Sequence, residues 1–274
     1  MSAPEFFEHH PVFTYEDFEQ YSASHGSANA NTLRAILAYH IKKHHIKRIR
    51  RGLFASIPSA LRHTAESFIV DPYLIGGLVS KDAVIAYHSA FDFYGISYST
   101  YHQFTFMSEN KVRPFTFQDI NYHCLSFPKI LIDNNQTDVE VITSDRHGID
   151  VKVTSLERTL VDALDRPDYA GGWEEIWRSV LHIPILNLDK VANYVMLLNN
   201  ATLCAKLGFF LEQHKALFNV DNLLLSLLEE KKPKGIHFLE RNKRDVGKYI
   251  KRWNLVVPAY IIEQAWEEPI NDDV

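Results

Sequence analysis

Cysteine is scarce in this 274-residue chain: only Cys124 and Cys204 occur, far apart and outside any CxxC or Cys/His spacing. That excludes a disulfide framework and a cysteine-based zinc site, and a reducing cytosol fits such usage best. The phosphate cradle GxxxxGK[ST], a GxGxxG after a strand, the zinc-binding HExxH and the nucleophile-bearing GxSxG are all missing. Without them the commonest nucleotide, metal and acyl-transfer sites have no anchor, so no cofactor, no metal and no enzymatic activity is expected. No apolar run approaches the roughly 20 residues that span a bilayer. The N-terminus, MSAPEFFEHHPVF, is acidic rather than basic-then-apolar, so neither a membrane span nor a secretory leader is expected and the location reads as cytoplasmic.

The most informative absence is local. Between Gln20 and Ala65 there is no Asp or Glu, while Arg34, Lys42, Lys43, Lys47, Arg48, Arg50, Arg51 and Arg62 give that window a charge of +8 in a chain whose formal net charge is −5. Residues 1–19 carry five acids and no Lys or Arg, and residues 66–274 carry 21 basic against 29 acidic side chains. A basic head on an acidic body points to a polyanion partner for the head and a protein-facing role for the rest.

The basic window has a shape. Leu33, Ile36, Leu37, His40, Ile41 and His44 recur at helical spacing behind an Asn cap, Asn29 or Asn31, which predicts one helix with a buried stripe. Thr32, Ala35, Tyr39, Lys42 and Lys43 fall on its outer side. Gly52 then divides two short alternating runs, Ile46 to Arg51 and Leu53 to Ile57, that read as a basic hairpin. Upstream, Phe13, Phe18 and Tyr21 suit a helix from Thr14 to about Ala23. Helix, tight turn, helix and hairpin together predict a winged helix-turn-helix. In that reading Asn29, Asn31, Thr32, Ala35 and Tyr39 face base edges. Arg34, Lys42, Lys43, Lys47, Arg48, Arg50 and Arg51 meet phosphates or a minor groove, and about six neutralised phosphates imply a log–log salt slope near −5.

Several blocks of the chain, IKRIRRGLFASIP, DPYLIGGLV, AYHSAFDFYGI, VTSLERTLVDAL, AGGWEEIW and AKLGFFLE, resemble the AbiEi family of antitoxins from bacterial abortive-infection systems. The resemblance runs from about Phe13 to Glu212. It implies an N-terminal domain that binds double-stranded DNA in its own promoter, at inverted repeats, and represses its own toxin–antitoxin operon. It also implies a C-terminal domain that counters a nucleotidyltransferase-like toxin, in a type IV system where no stable complex is required.

At 46% hydrophobic and 12% aromatic residues the chain can bury a core throughout, leaving disorder as the default only at its two ends. The expected organisation is α+β in two domains, a winged helix-turn-helix over 1–62 and a larger mixed domain over 72–274 with a small antiparallel sheet and several helices. Pro72 opens a short helix, and Ser80 is expected to cap a second over Lys81 to Tyr94, ended by Gly95. Alternation around Phe104/Phe106, Phe115/Phe117 and Tyr122/Cys124 predicts three strands. Val139, Val141 and Thr143 are expected to pair with Ile149, Val151 and Val153 across Asp145-Arg146-His147-Gly148. Thr154 to Glu157 reads as a capping box opening a helix. Four more helices follow: one after Gly171-Gly172, then Val191 to Asn199, Leu203 to His214 and Asp221 to Glu230.

Three features invite sharper chemistry. Asp150-Val151-Lys152, with Asp133 and Asp138 upstream, matches the acids and lysine of metal-dependent nucleases, yet a half-buried strand exposes the same alternate residues. Arg158, Thr159 and Asp162 could touch a toxin or ligand, or Arg158 and Asp162 could simply pair across a helical turn. A second basic island, with nine Lys or Arg between Lys231 and Arg252, could extend the DNA footprint, meet another acidic partner, or guard a soluble edge strand. The adjacent pairs His9-His10 and His44-His45 point apart and suggest no metal site. A nuclease targeted by its N-terminal domain and a ligand-sensing regulator remain the two rival functions.

Overall fold

The computed structural model describes residues 3–26, 29–240 and 247–266. The chain divides into two compact units, one comprising Met1–Ile85, His102–Phe127 and Ile142–Val153, the other Ala86–Tyr101, Pro128–Val141 and Thr154–Val274. Residues 1–62 lie wholly in the first unit, and residues 72–274 contribute to both.

The first unit opens with α1 (Ala3–His9), β1 (Val12–Thr14), α2 (Tyr15–Ser24), α3 (Ala30–Lys42), β2 (Ile46–Arg50) and β3 (Leu53–Ser56). Helix α1 falls where the sequence leaves the end as default disorder. It is held because Phe6 and Phe7 are buried, with the Phe6 ring 5.1 Å from Phe13 and 5.3 Å from Phe18. Local chemistry sets the other boundaries. Thr14 Oγ1 accepts from Asp17 N at 3.1 Å, and Asp17 Oδ2 accepts from Thr14 N at 2.7 Å, a closed capping box. Asn29 caps α3, its Oδ1 accepting from the amides of Asn31 and Thr32. Leu33, Leu37 and His40 form the buried stripe of α3, as expected. His44 does not join it: the helix ends at Lys42, and His44 is exposed at φ +54°. Gly52, at φ +81°, makes the turn between β2 and β3. Strand β1 pairs antiparallel with β3, so this small antiparallel sheet has the order β1-β3-β2.

Next come α4 (Pro72–Leu78), β4 (Val84–Ile85), α5 (His88–Phe93), β5 (Gln103–Met107), β6 (Phe115–Phe117), β7 (Ile120–Leu125), α6 (Lys129–Asp133), β8 (Val141–Arg146) and β9 (Ile149–Thr154). Asp71 and Pro72 start α4, and His147 and Gly148, at φ +56° and +80°, form the β8–β9 turn. The helix expected over Lys81 to Tyr94 is absent. Ser80 Oγ donates to Asp82 at 2.5 Å, and the Asp82 carboxylate also accepts from Ser108 Oγ and from the Glu109 amide, both at 2.7 Å. Burial would raise the Asp82 pKa, but these hydrogen bonds hold it far below the ordinary carboxylate range. The turn they fix delivers Val84 and Ile85 between β5 and β9, and helix resumes only at His88. The sheet, ordered β6-β7-β5-β4-β9-β8, is mixed rather than antiparallel: β5 runs parallel to β7 and β4 parallel to β9. Helix α4 lies close on it through Gly76 and Gly77, where a Cβ on Gly77 would sit 2.7 Å from Val151.

The second unit is helical. Its elements are α5 and α6 with α7 (Leu156–Asp165), α8 (Trp173–Val180), α9 (Leu188–Leu198), α10 (Ala201–Gln213), α11 (Asn222–Glu230), β10 (His237–Phe238), β11 (Gly247–Ile250), β12 (Leu255–Pro258) and α12 (Ala259–Ile262). Leu160, Leu164, Trp173, Ile176, Trp177, Phe210 and Trp253 share one core. The cap of α7 is Ser155, whose side chain accepts from Arg158 N, rather than Thr154. Glu157 accepts from the Asn187 amide at 3.0 Å instead of closing a box. The last three strands form a sheet of order β10-β12-β11. Arg241, Lys243 and Arg244 of the second basic island lie outside the described residues. Among the described residues no helix is long and apolar enough to cross a membrane.

Candidate nucleic-acid interface

Helix α3 sets one face against the aromatic cluster of Phe7, Phe18 and Phe54 and turns the other to solvent. Asn31, Thr32, Arg34, Ala35, Tyr39, Lys42 and Lys43 are all exposed, Tyr39 at 56%. With 13 residues the helix is about 20 Å long, and its exposed face grades from small polar groups to lysines, as the sequence implies. Asn29 is placed differently from the expectation. Its carboxamide oxygen is committed to the cap, accepting from the Asn31 and Thr32 amides.

The cations of the hairpin divide in two. Arg48 and Arg51 are exposed, the Arg48 guanidinium lying 5.7 Å from the Phe54 ring centroid. Lys47 and Arg50 are half-buried and already engaged. Lys47 Nζ donates to the carbonyls of Glu66 and Phe68 at 3.2 and 3.3 Å, and the Arg50 guanidinium stacks 4.8 Å over Phe115 of β6. Four of the seven expected cations, Arg34, Lys42, Lys43 and Arg51, thus have no protein partner among the described residues, and Arg48 meets the Phe54 ring but no acid. Glu16 on α2 is offset by Lys81 at 2.6 Å.

Helix α3 and β2 are joined through His40 and His45, whose Nδ1 atoms lie 2.8 Å apart. One ring must accept, so at least one is unprotonated. Burial lowers both pKa values, and the pair's mutual repulsion and Arg62 lower that of His40 further.

The other candidate residues belong to other elements, and Asp150 and Lys152 border a cleft with Gly52 and the start of α2. Asp150 and Lys152 are exposed on β9 between buried Val151 and Val153, the alternation that a half-buried strand produces. Asp133 ends α6 rather than lying on a strand, and Asp138 lies in a turn before β8. Among the described residues no group of three or more His, Cys, Asp or Glu could hold a metal ion.

Arg158, Thr159 and Asp162 are interior, at 0%, 0% and 2% exposure. Arg158 Nε lies 3.3 Å from Asp162 Oδ2, and its Nη1 donates to the carbonyls of Thr137 and Val139 at 2.9 and 2.6 Å. Tyr194 donates to the other Asp162 oxygen at 2.8 Å. Burial raises the Asp162 pKa against the pull of Arg158 and Tyr194. Thr159 Oγ1 bonds the Thr154 hydroxyl and the Ser155 carbonyl, at 2.6 and 2.7 Å. Of the two roles open for this set, the geometry carries pairing within the fold.

Two features went unseen in the sequence. Buried Glu175 accepts from the Tyr98 and Ser99 amides and from the Ser99 and Ser179 hydroxyls, with His88 Nε2 at 3.2 Å. Burial alone would raise its pKa, and these bonds hold it at about 2, so it fastens the loop after α5. The other is a cleft of about 690 Å³ in the first unit, bordered by Glu8, Val12, Ile69 and His147. No sequence signal marks either, because both join residues from distant parts of the chain.

No protein-family model and no curated protein sequence matches the chain. Its fold is similar to that of the RV2827C protein from Mycobacterium tuberculosis, known as a crystal structure, at a TM-score of 0.59 and 13% sequence identity. The match covers 93% of this chain and 90% of that one, so the fold is shared along nearly the whole length.

Proposed function

We propose that the chain is a double-stranded-DNA-binding regulator whose residues 3–57 act as a winged helix-turn-helix, with α3 as the helix that enters the major groove. The carrying observation is the solvent-facing side of α3, where Asn31, Thr32, Ala35 and Tyr39 lead into Lys42 and Lys43 with no acid interposed. The order helix, strand, helix, helix, strand, strand with sheet order β1-β3-β2 supports the reading, since it presents a helix and an adjacent basic hairpin together. Thr32, Asn31 and Tyr39 then read base edges, and Arg34, Lys42, Lys43, Arg48 and Arg51 neutralise phosphate.

The resemblance of the IKRIRRGLFASIP and VTSLERTLVDAL blocks to AbiEi antitoxins supplies the biological setting. In that setting the operator is an inverted repeat in the promoter of the chain's own toxin–antitoxin operon. The second unit counters the nucleotidyltransferase-like toxin without a lasting complex. The testing experiment is titration of a labelled fragment from upstream of the gene, beside a scrambled fragment, over a range of salt. Preference for the native fragment, with a log–log slope near −4.5 per protomer for about five phosphates, is the expected result. Equal, weak binding to both fragments would reduce the surface to a general polyanion face.

A further inference from the structure

The first unit contains a cleft that DNA binding does not use. Its volume of about 690 Å³ lies within the roughly 300–1,000 Å³ of small-molecule sites. A smaller cleft of about 380 Å³ shares Glu8, Pro11 and Phe68 with it. The floor is apolar and firm, with Val12, Val70 and Leu74 between 1% and 4% exposed. At the mouth Ile69 is 77% exposed, a large apolar side chain left in water beside an apolar floor.

The charges decide what fits. Asp71 is already compensated: its Oδ2 accepts from Arg146 Nε at 2.7 Å and lies 3.4 Å from His147 Nε2, and its Oδ1 accepts from the Tyr73 amide at 2.8 Å. Glu8 borders both clefts, is exposed, and pairs with no cation among the described residues. The unmet demands are therefore a cation against Glu8 and apolar mass against Ile69 and Val70. We infer that this cleft binds a small apolar or aromatic amine, and that its occupancy is felt by the DNA-facing hairpin.

The route of coupling is short. Residues 68–70 form one wall, and the segment 66–70 is clamped from two sides. Lys47 Nζ donates to the Glu66 and Phe68 carbonyls, while Gln118 Nε2 donates to the Phe68 carbonyl at 2.6 Å and its Oε1 accepts from the Val70 amide at 2.9 Å. Lys47 sits on β2 beside Arg48. An amine that moves Phe68 and Ile69 changes the carbonyls that hold the Lys47 ammonium, and so its availability to phosphate. This coupling rests on the DNA-binding reading; occupancy of the cleft does not.

The test uses the full chain with labelled Ile, Leu and Val methyl groups. Tryptamine and phenethylamine are titrated beside indole-3-acetate and phenylacetate, which keep the shape and reverse the charge. Saturable shifts confined to the methyls of Val12, Ile69, Val70 and Leu74, at least about tenfold weaker for the acids and for Glu8→Gln, are expected. No saturable shift with either amine up to about 10 mM, or equal response to acids and amines, would overturn the site. An unchanged response in Glu8→Gln would overturn the role of that carboxylate. In a parallel DNA titration a saturating amine should change affinity in the wild type and not in Lys47→Met. Unaltered wild-type affinity beside intact methyl shifts removes the coupling alone. Absence of any DNA binding beside intact methyl shifts overturns the DNA reading and leaves the site standing.

Discussion

Arg48 and Arg51 differ from Lys47 and Arg50 by what they already touch, and that difference makes separable predictions. Replacing Arg48 and Arg51 with Ala should weaken binding to every DNA sequence and flatten the salt slope by roughly 0.9 for each lost phosphate. Stability should hardly change, since both are exposed. Lys47→Ala removes the ammonium that holds the Glu66 and Phe68 carbonyls, so its main effect should be a lower melting temperature. Thr32→Ala should erode discrimination between native and scrambled DNA by about 1–3 kcal/mol; equal losses on both would sink the role of α3. In the second unit, Arg158→Met leaves the Asp162 carboxylate buried without its cation. It is expected to destabilise that unit by about 3–5 kcal/mol, read as an earlier urea midpoint, with DNA affinity of the folded protein unchanged.

At the level of the element, the junction of α3 and β2 is built from two imidazoles. Because burial lowers both pKa values in the fold, the unfolded chain binds more protons as the pH falls below the ordinary histidine value of 6.5. Stability from this pair is therefore present above that value and is lost progressively as the pH falls toward the lowered pKa values of the folded state. Thermal melts from pH 7.5 to 5 should fall, and His45→Phe, which cannot take up a proton, should blunt the fall. A pH-independent melt would show that the pair carries no such linkage. Helix α3 also depends on its cap, so Asn29→Ala should cost about 1 kcal/mol. Helix α1 is an element of another kind: the paired Phe6 and Phe7 in an acidic, polar segment were its one sequence signal. Only the rings of Phe13 and Phe18 show that they are core.

For the molecule as a whole, the first unit draws its chain from three separate segments. A fragment of residues 1–62 would lose the Glu66 and Phe68 carbonyls from Lys47 and the Phe115 ring from Arg50. It is expected to exchange its β2 amides faster than the full chain does, and equal protection would show that these ties are dispensable. If the antitoxin reading holds, the full chain carrying Arg48→Ala and Arg51→Ala should still protect cells that express the neighbouring toxin gene while no longer repressing its promoter. Loss of both activities together would mean that protection passes through DNA.

Sequence alone determined the features that depend on neighbours along the chain: an Asn cap at Asn29 or Asn31, the period of α3 and β9, the Gly52 hairpin and the missing acids of the basic window. These follow from backbone geometry and spacing, which need no distant partner. Tertiary structure decided what lies beyond that reach. It turned Val84 and Ile85 from helix into the middle of a mixed sheet, because a strand slot between β5 and β9 outweighs a weak helical period. It sealed Arg158 and Asp162 inside, tied Lys47 and Arg50 to distant parts of the chain, and brought Glu8, Val12, Ile69 and His147 around one cleft. Each of these outcomes depends on which desolvated surface and hydrogen-bond partner a residue meets across the fold, and spacing along the chain carries no information about that.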